Sequence, residues 1–138
     1  MTLRTRFMTA HMVAAAALVA LGACGGGGSP SSPTNPGTGS PGPVGATITI
    51  GANGAVSPAQ VTISTGQSVT FVNNDSRLHD MTSDPHPTHT DCPQTNTVGV
   101  LSPGQSKTSN AYTSARTCGF HDHNTPEITA LQGRIVIQ

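Results

Sequence analysis

The chain has 138 residues, 9% of them charged and 3% aromatic, with no Trp. Its formal net charge is zero, which excludes the basic footprint of a nucleic-acid binder and a polybasic membrane surface. The length allows one domain at most once the N-terminal region is set aside. After position 24 the basic side chains are Arg77, Lys107, Arg116 and Arg134, and the acidic ones are Asp75, Asp80, Asp84, Asp91, Asp122 and Glu127. That slight acidity selects no partner. Helix-favouring residues are scarce there, while Thr, Val, Ile, Ser, Gly and Pro are common, a composition that suits a small all-β domain.

Arg4 and Arg6 form a positive start, and Met12 to Ala20 is an uncharged apolar run. That run is short for a membrane span and has the length of a signal-peptide core. Leu21-Gly22-Ala23-Cys24 follows and resembles the lipobox of bacterial lipoproteins. The resemblance implies a signal peptide over 1–23, cleavage before Cys24 and lipidation of that residue. The chain is therefore expected to be exported and lipid-anchored to a cell-envelope membrane, its domain facing the periplasm or the exterior. Gly25 directly after Cys24 is not Asp, which favours the outer membrane in a cell that has one. Residues 24–45 are rich in Gly, Ser and Pro and cannot bury enough surface to offset their ordering entropy. They read as a tether spanning roughly 25 Å on average, more where the prolines extend it.

From Ala46 the pattern changes. Thr47 to Ile50 alternates polar and apolar, as does Val61 to Ile63, and Ser68 to Asn73 places Val69 and Phe71 on one face. Leu78 to Thr82 continues the chain after a turn. Residues 83–97 read as a long irregular loop with three prolines. Val98 to Leu101, Ser106 to Tyr112, Arg116 to Phe120 and Gly133 to Ile137 read as further strands, with a short helix expected over Pro126 to Leu131. Short strands separated by turn signals point to a β-sandwich over 46–138.

Four pieces, in this order, resemble the cupredoxin family. They are Val69-Thr70-Phe71-Val72-Asn73-Asn74-Asp75-Ser76-Arg77-Leu78-His79, Leu101-Ser102-Pro103-Gly104, Cys118-Gly119-Phe120-His121 and Gly133-Arg134-Ile135-Val136-Ile137. The resemblance implies an all-β Greek-key sandwich that holds copper at one end, with His79 as the first ligand and the Cys118–His121 element supplying others. No Met follows Cys118, so the axial position would fall to a carbonyl or to a nearby oxygen such as Gln132 or Glu127.

Two chemistries are open for this cluster. In one, Cys118 is a thiolate ligand with His79 and either His121 or His123, a set that favours copper and rapid one-electron transfer. In the other, with Cys24 lipidated, Cys92 and Cys118 pair as a disulfide. Closing a loop of that length contributes about 3 kcal/mol, and the metal then sees imidazole alone. His121 and His123 stand two apart and share a face if the chain is extended, and His86 and His89 are weaker candidates in the Pro-rich loop. Imidazole-rich sites suit copper or, less well here, zinc. Asp122 and Asp80 are candidates to orient imidazoles, though exposure to water is the simpler role for each.

The leading functional expectation is a membrane-tethered copper protein of cupredoxin type that transfers electrons to a redox partner. The alternatives are copper binding, delivery or sequestration through the imidazole-only site, with a delivery partner, and a metal-free sandwich used for protein contact. Gly119-Phe120-His121-Asp122-His123 is superficially similar to the copper strand of Cu/Zn superoxide dismutases. There the motif lies early in a longer chain, so no enzymatic activity is expected from it here.

Overall fold

The structure is a computed structural model and describes residues 39–138. The signal peptide over 1–23, Cys24 and most of the tether lie outside the described residues. In chain order the strands are β1 (Val44–Ile50), β2 (Val56–Ser57), β3 (Gln60–Ile63), β4 (Ser68–Asn73), β5 (His79–Ser83), β6 (Gly99–Leu101), β7 (Ser106–Thr108), β8 (Arg116–Asp122) and β9 (Gly133–Ile137). They form a four-stranded sheet in the order β2-β1-β4-β7 and a five-stranded sheet in the order β3-β9-β8-β5-β6. The β1–β4 and β3–β9 pairs are parallel and the other pairs antiparallel. The chain passes repeatedly between the sheets, which gives the β-sandwich expected from the sequence.

Local chemistry explains most boundaries. Ser102-Pro103-Gly104-Gln105 closes with a Gln105 N–H donating to the Ser102 carbonyl at 2.9 Å. Gly104 there has φ +76°, the backbone that a type II turn requires at its third position, with Pro at the second. Asn73 ends β4 and holds the next turn. Its amide donates to the Arg77 and Leu101 carbonyls at 2.8 and 2.9 Å, and its oxygen accepts from the Asp75 N–H at 2.9 Å. That stitch delivers the chain into β5.

Several boundaries differ from the sequence reading; β5 and β6 each begin one residue later, and β8 runs on to Asp122. β1 starts at Val44 rather than Ala46, because the Ser68 hydroxyl accepts from the Gly42 N–H at 2.7 Å and ties the chain down earlier. β7 ends at Thr108, and residues to Tyr112 are held by isolated bonds instead, among them Tyr112 N–H to the Gln67 carbonyl at 2.9 Å. The helix expected over 126–131 is a single 3₁₀ turn, Thr129–Leu131. The core fills the space between the sheets with Ile48, Ile50, Val69, Phe71, Met81, Leu101, Phe120 and Ile135, all buried. Phe71 and Phe120 meet edge to face with ring centroids 5.2 Å apart, a favoured aromatic arrangement.

This contact joins the two sheets at their centre. Phe120→Ala is expected to destabilise the domain by about 3–5 kcal/mol, read as a lowered denaturation midpoint. A loss under about 1 kcal/mol would show that the core collapses around the gap.

Candidate metal centre

Strand parity decides which side chains meet. On β8, Cys118, Phe120 and Asp122 alternate with Gly119 and His121, and the first set faces the core with Cys118 and Phe120 fully buried. On β5, His79 and Met81 share a parity, and Thr82 has the other. The register pairs Thr82 with His121 and Met81 with Asp122. His79 therefore lies on the core face, and His121 lies on the outer face of the same sheet.

The two faces hold different chemistry. On the core side the His79 Nδ1 is 2.8 Å from Asp122 Oδ2, and its Nε2 is 3.1 Å from Asp75 Oδ2. Arg77 reaches the same Asp75 oxygen at 3.0 Å. Both His79 ring nitrogens lie within hydrogen-bond distance of carboxylates, which hold the ring in the core and away from the outer face. Burial alone would raise the Asp75 carboxyl. Hydrogen bonds from His79, Arg77 and the Ser76 N–H, with the Arg77 charge, outweigh burial and hold it at about 2, below its ordinary 3.8.

On the outer side, His86, His89, His121 and His123 converge, with one ligand atom from each lying within 4.8 Å of all the others. Ring centroids are 4.8 Å apart for His89 and His123, and 5.1 Å apart for His86 and His123. His89 Nε2 and His123 Nδ1 stand 3.2 Å apart. Metal–imidazole bonds of about 2.0–2.1 Å put neighbouring nitrogens on a tetrahedral ion about 3.3 Å apart. The widest pair thus needs to close by up to about 1.5 Å for the set to hold one ion.

The 83–97 loop brings two of these four histidines into place. Asp84 N–H donates to the Gly119 carbonyl at 3.0 Å, and Asp91 N–H to the Asp84 carbonyl at 2.8 Å. The His89 carbonyl accepts from Ser83 Oγ at 3.0 Å and from Asn96 Nδ2 at 2.8 Å. Those bonds hold His89 at φ 49°, a left-handed conformation that costs a non-glycine residue about 1 kcal/mol or more. Arg116 pairs with Asp91 at 2.5 Å. Cys92 and Cys118 are joined by a disulfide with Cα atoms 5.8 Å apart. Beyond it, Thr95 Oγ1 is 3.0 Å from the buried Tyr112 hydroxyl, whose ionisation burial pushes upward. His121 is buried beneath the loop although it lies on the sheet's outer side. Burial first, then repulsion from His121, His123 and His86, lowers the His89 imidazole from its ordinary 6.5, against an opposing pull from Asp80. A neutral ring is the form that binds metal.

Two sequence expectations are corrected. Cys118 is not free to act as a thiolate, because its sulfur is bonded to Cys92. His79 does not join His121 and His123, because β5 turns it toward the core and two carboxylates take its nitrogens. Of the candidate orienting acids, Asp122 serves His79, not the cluster. Gln132, a candidate axial oxygen, spends its amide N–H on the Pro126 carbonyl at 2.7 Å. Sequence reasoning missed Asp84, whose Oδ1 is 2.6 Å from His121 Nδ1. The available signal was a glycine, Gly119, at the strand position beside it.

No protein-family model matches the sequence, and no curated protein matches it. Solved structures do. A purple cupredoxin from Nitrosopumilus maritimus is 18% identical, with a TM-score of 0.50, 67% of this chain covered and 99% of that one. Plastocyanin from Dryopteris crassirhizoma is 17% identical, with a TM-score of 0.52 and the same coverages. A Cu(I) form of an amicyanin variant is 15% identical, with a TM-score of 0.50, 68% of this chain covered and 82% of that one. The domain has a cupredoxin-like fold. On that fold, the outer-face histidine cluster is built from a loop and a strand end, and the core-face position of His79 is filled by an imidazole between two carboxylates.

A carboxyl more acidic in the folded state than in the unfolded one stabilises the fold above the unfolded value, and that contribution is lost as pH falls through the folded value. The stability advantage of the natural chain over Asp75→Asn is expected to be constant above about pH 4 and to shrink toward pH 2. Denaturant melts across this range test it; an unchanged gap down to pH 2 would contradict the Asp75 network.

Proposed function

We propose that this domain is a copper-binding module that holds the metal through His86, His89, His121 and His123, with Cys92 and Cys118 paired. The convergence of four imidazoles from two separate segments carries the reading. Imidazole suits copper and zinc, and affinity at such a site peaks at Cu(II) among the common divalent ions, so copper is the metal of choice. The cupredoxin-like fold supports the same choice, since amicyanin variants among the structural neighbours are described in Cu(I) forms. A bound copper ion would supply a redox-active, Lewis-acidic centre. The chain's own part is to supply neutral nitrogens and to hold them with a buried disulfide and a hydrogen-bonded loop.

Four imidazoles of one type, with no carboxylate or thiolate among them, make a set suited to holding the ion. Binding, delivery or sequestration therefore fits better than enzymatic turnover. Electron transfer is the second reading, supported by neighbours described in oxidized and reduced forms. It would have to run without the thiolate ligand that favours fast exchange. The lipobox-like Cys24 supports a membrane-anchored domain outside the cytoplasm that meets a copper-delivery or redox partner there.

His86→Ala/His89→Ala and His121→Ala/His123→Ala are each expected to abolish retention of Cu(II) through dialysis, whereas His79→Ala retains it. Retention by both double variants, or its loss in His79→Ala with the fold intact, would refute the assignment. The Cu(II) form should lack an intense thiolate charge-transfer band, and its presence would revive Cys118 as a ligand.

A further inference from the structure

We propose that Asp84, seated over Gly119, is a positioning residue that selects Nε2 of His121 as the metal-binding atom. The inference rests on the imidazole site proposed above.

Asp84 is the first residue beyond β5, and its N–H donates to the Gly119 carbonyl at 3.0 Å. Its Oδ1 is 2.6 Å from His121 Nδ1. Its other oxygen lies over Gly119, where a Cβ would collide with Oδ2 and stand 2.8 Å from Cγ. Glycine weakens a strand interior and often marks a close approach by another group. Here the approaching group is the carboxylate that meets His121.

An ionised carboxylate only accepts hydrogen bonds, so Nδ1 of His121 must carry the proton. A neutral ring then has its lone pair on Nε2 alone. That atom lies 3.5 Å from Thr82 Oγ1 on the outer face. The opposite tautomer would have no lone pair to offer from Nε2. Fixing the tautomer and ring plane through a carboxylate is the role such groups play behind metal-bound histidines, and their loss typically costs 10–100-fold in affinity. The neighbouring acids do not substitute, because Asp122 is turned to His79 and to the Asp80 and Asn124 N–H groups.

The test uses the disulfide-intact domain in two arms. In the metal-free protein, nitrogen-resolved NMR reads the His121 tautomer. In the second arm, competition with a chelator reads Cu(II) affinity. The natural chain should show the proton on Nδ1. Asp84→Ala and Gly119→Ala should both shift it toward Nε2 and weaken Cu(II) by 10–100-fold. Asp84→Asn keeps an acceptor oxygen and should lose less; it carries the test if Asp84→Ala does not fold. An unchanged tautomer and affinity within about twofold of the natural chain would overturn the inference. If the natural chain binds no copper, the site reading fails, and the NMR arm still decides whether Asp84 sets the tautomer.

Discussion

Four imidazoles can meet on this sandwich because one loop is tied to one strand. The Cys92–Cys118 bond joins the 83–97 loop to β8 only a few residues before His121. The Asp84–Gly119 backbone bond fixes the other end of the loop against the same strand. Between these ties His86 and His89 have little freedom to move away from His121 and His123. A site assembled in this way meets much of its ordering cost when the domain folds, not when metal arrives. The strained backbone of His89 fits the same pattern, since bonds from Ser83 and Asn96 hold its carbonyl in place.

The sheet that carries the cluster separates two kinds of histidine. On the core face His79 is part of the structure, buried between Asp75 and Asp122 and linked through Asp75 to Arg77. Among the described residues no buried side-chain nitrogen or oxygen lacks a partner, so the core-face network is complete without an ion. On the outer face the four rings are held near one another, and polar bonds inside the cluster are few. A complete network stabilises, whereas a set of convergent lone pairs binds. This contrast supports the outer face as the proposed metal site and gives the inner one a structural role.

The fold was legible from alternation and turns. Val69 and Phe71, the Ser102–Gln105 turn and the closing strand from Gly133 all stand where composition and pattern put them. The Cys92–Cys118 pairing was also within reach, as one of two open uses for the cysteines. The site was only half legible. The shared face of His121 and His123 followed from their spacing once β8 stayed extended through Asp122. The choice of partners did not follow, because resemblance drew attention to His79. The parity of β5 was the overlooked constraint: if Met81 belongs to the core, His79 faces it too. His86 and His89 were undervalued because a Pro-rich loop gives no periodicity from which its direction can be read. Asp84 was missed because its role depends on a contact between a loop start and a strand glycine distant in sequence, and the glycine alone does not name its neighbour.

The central claim is that one copper ion sits among the outer-face imidazoles of this cupredoxin-like domain. Anomalous diffraction at the copper edge, from crystals of the copper-loaded domain, tests it most directly. The account predicts a single peak within bonding distance of His86, His89, His121 and His123, with the disulfide intact. A peak beside His79 on the core face, or bonded to the Cys118 sulfur, would contradict it.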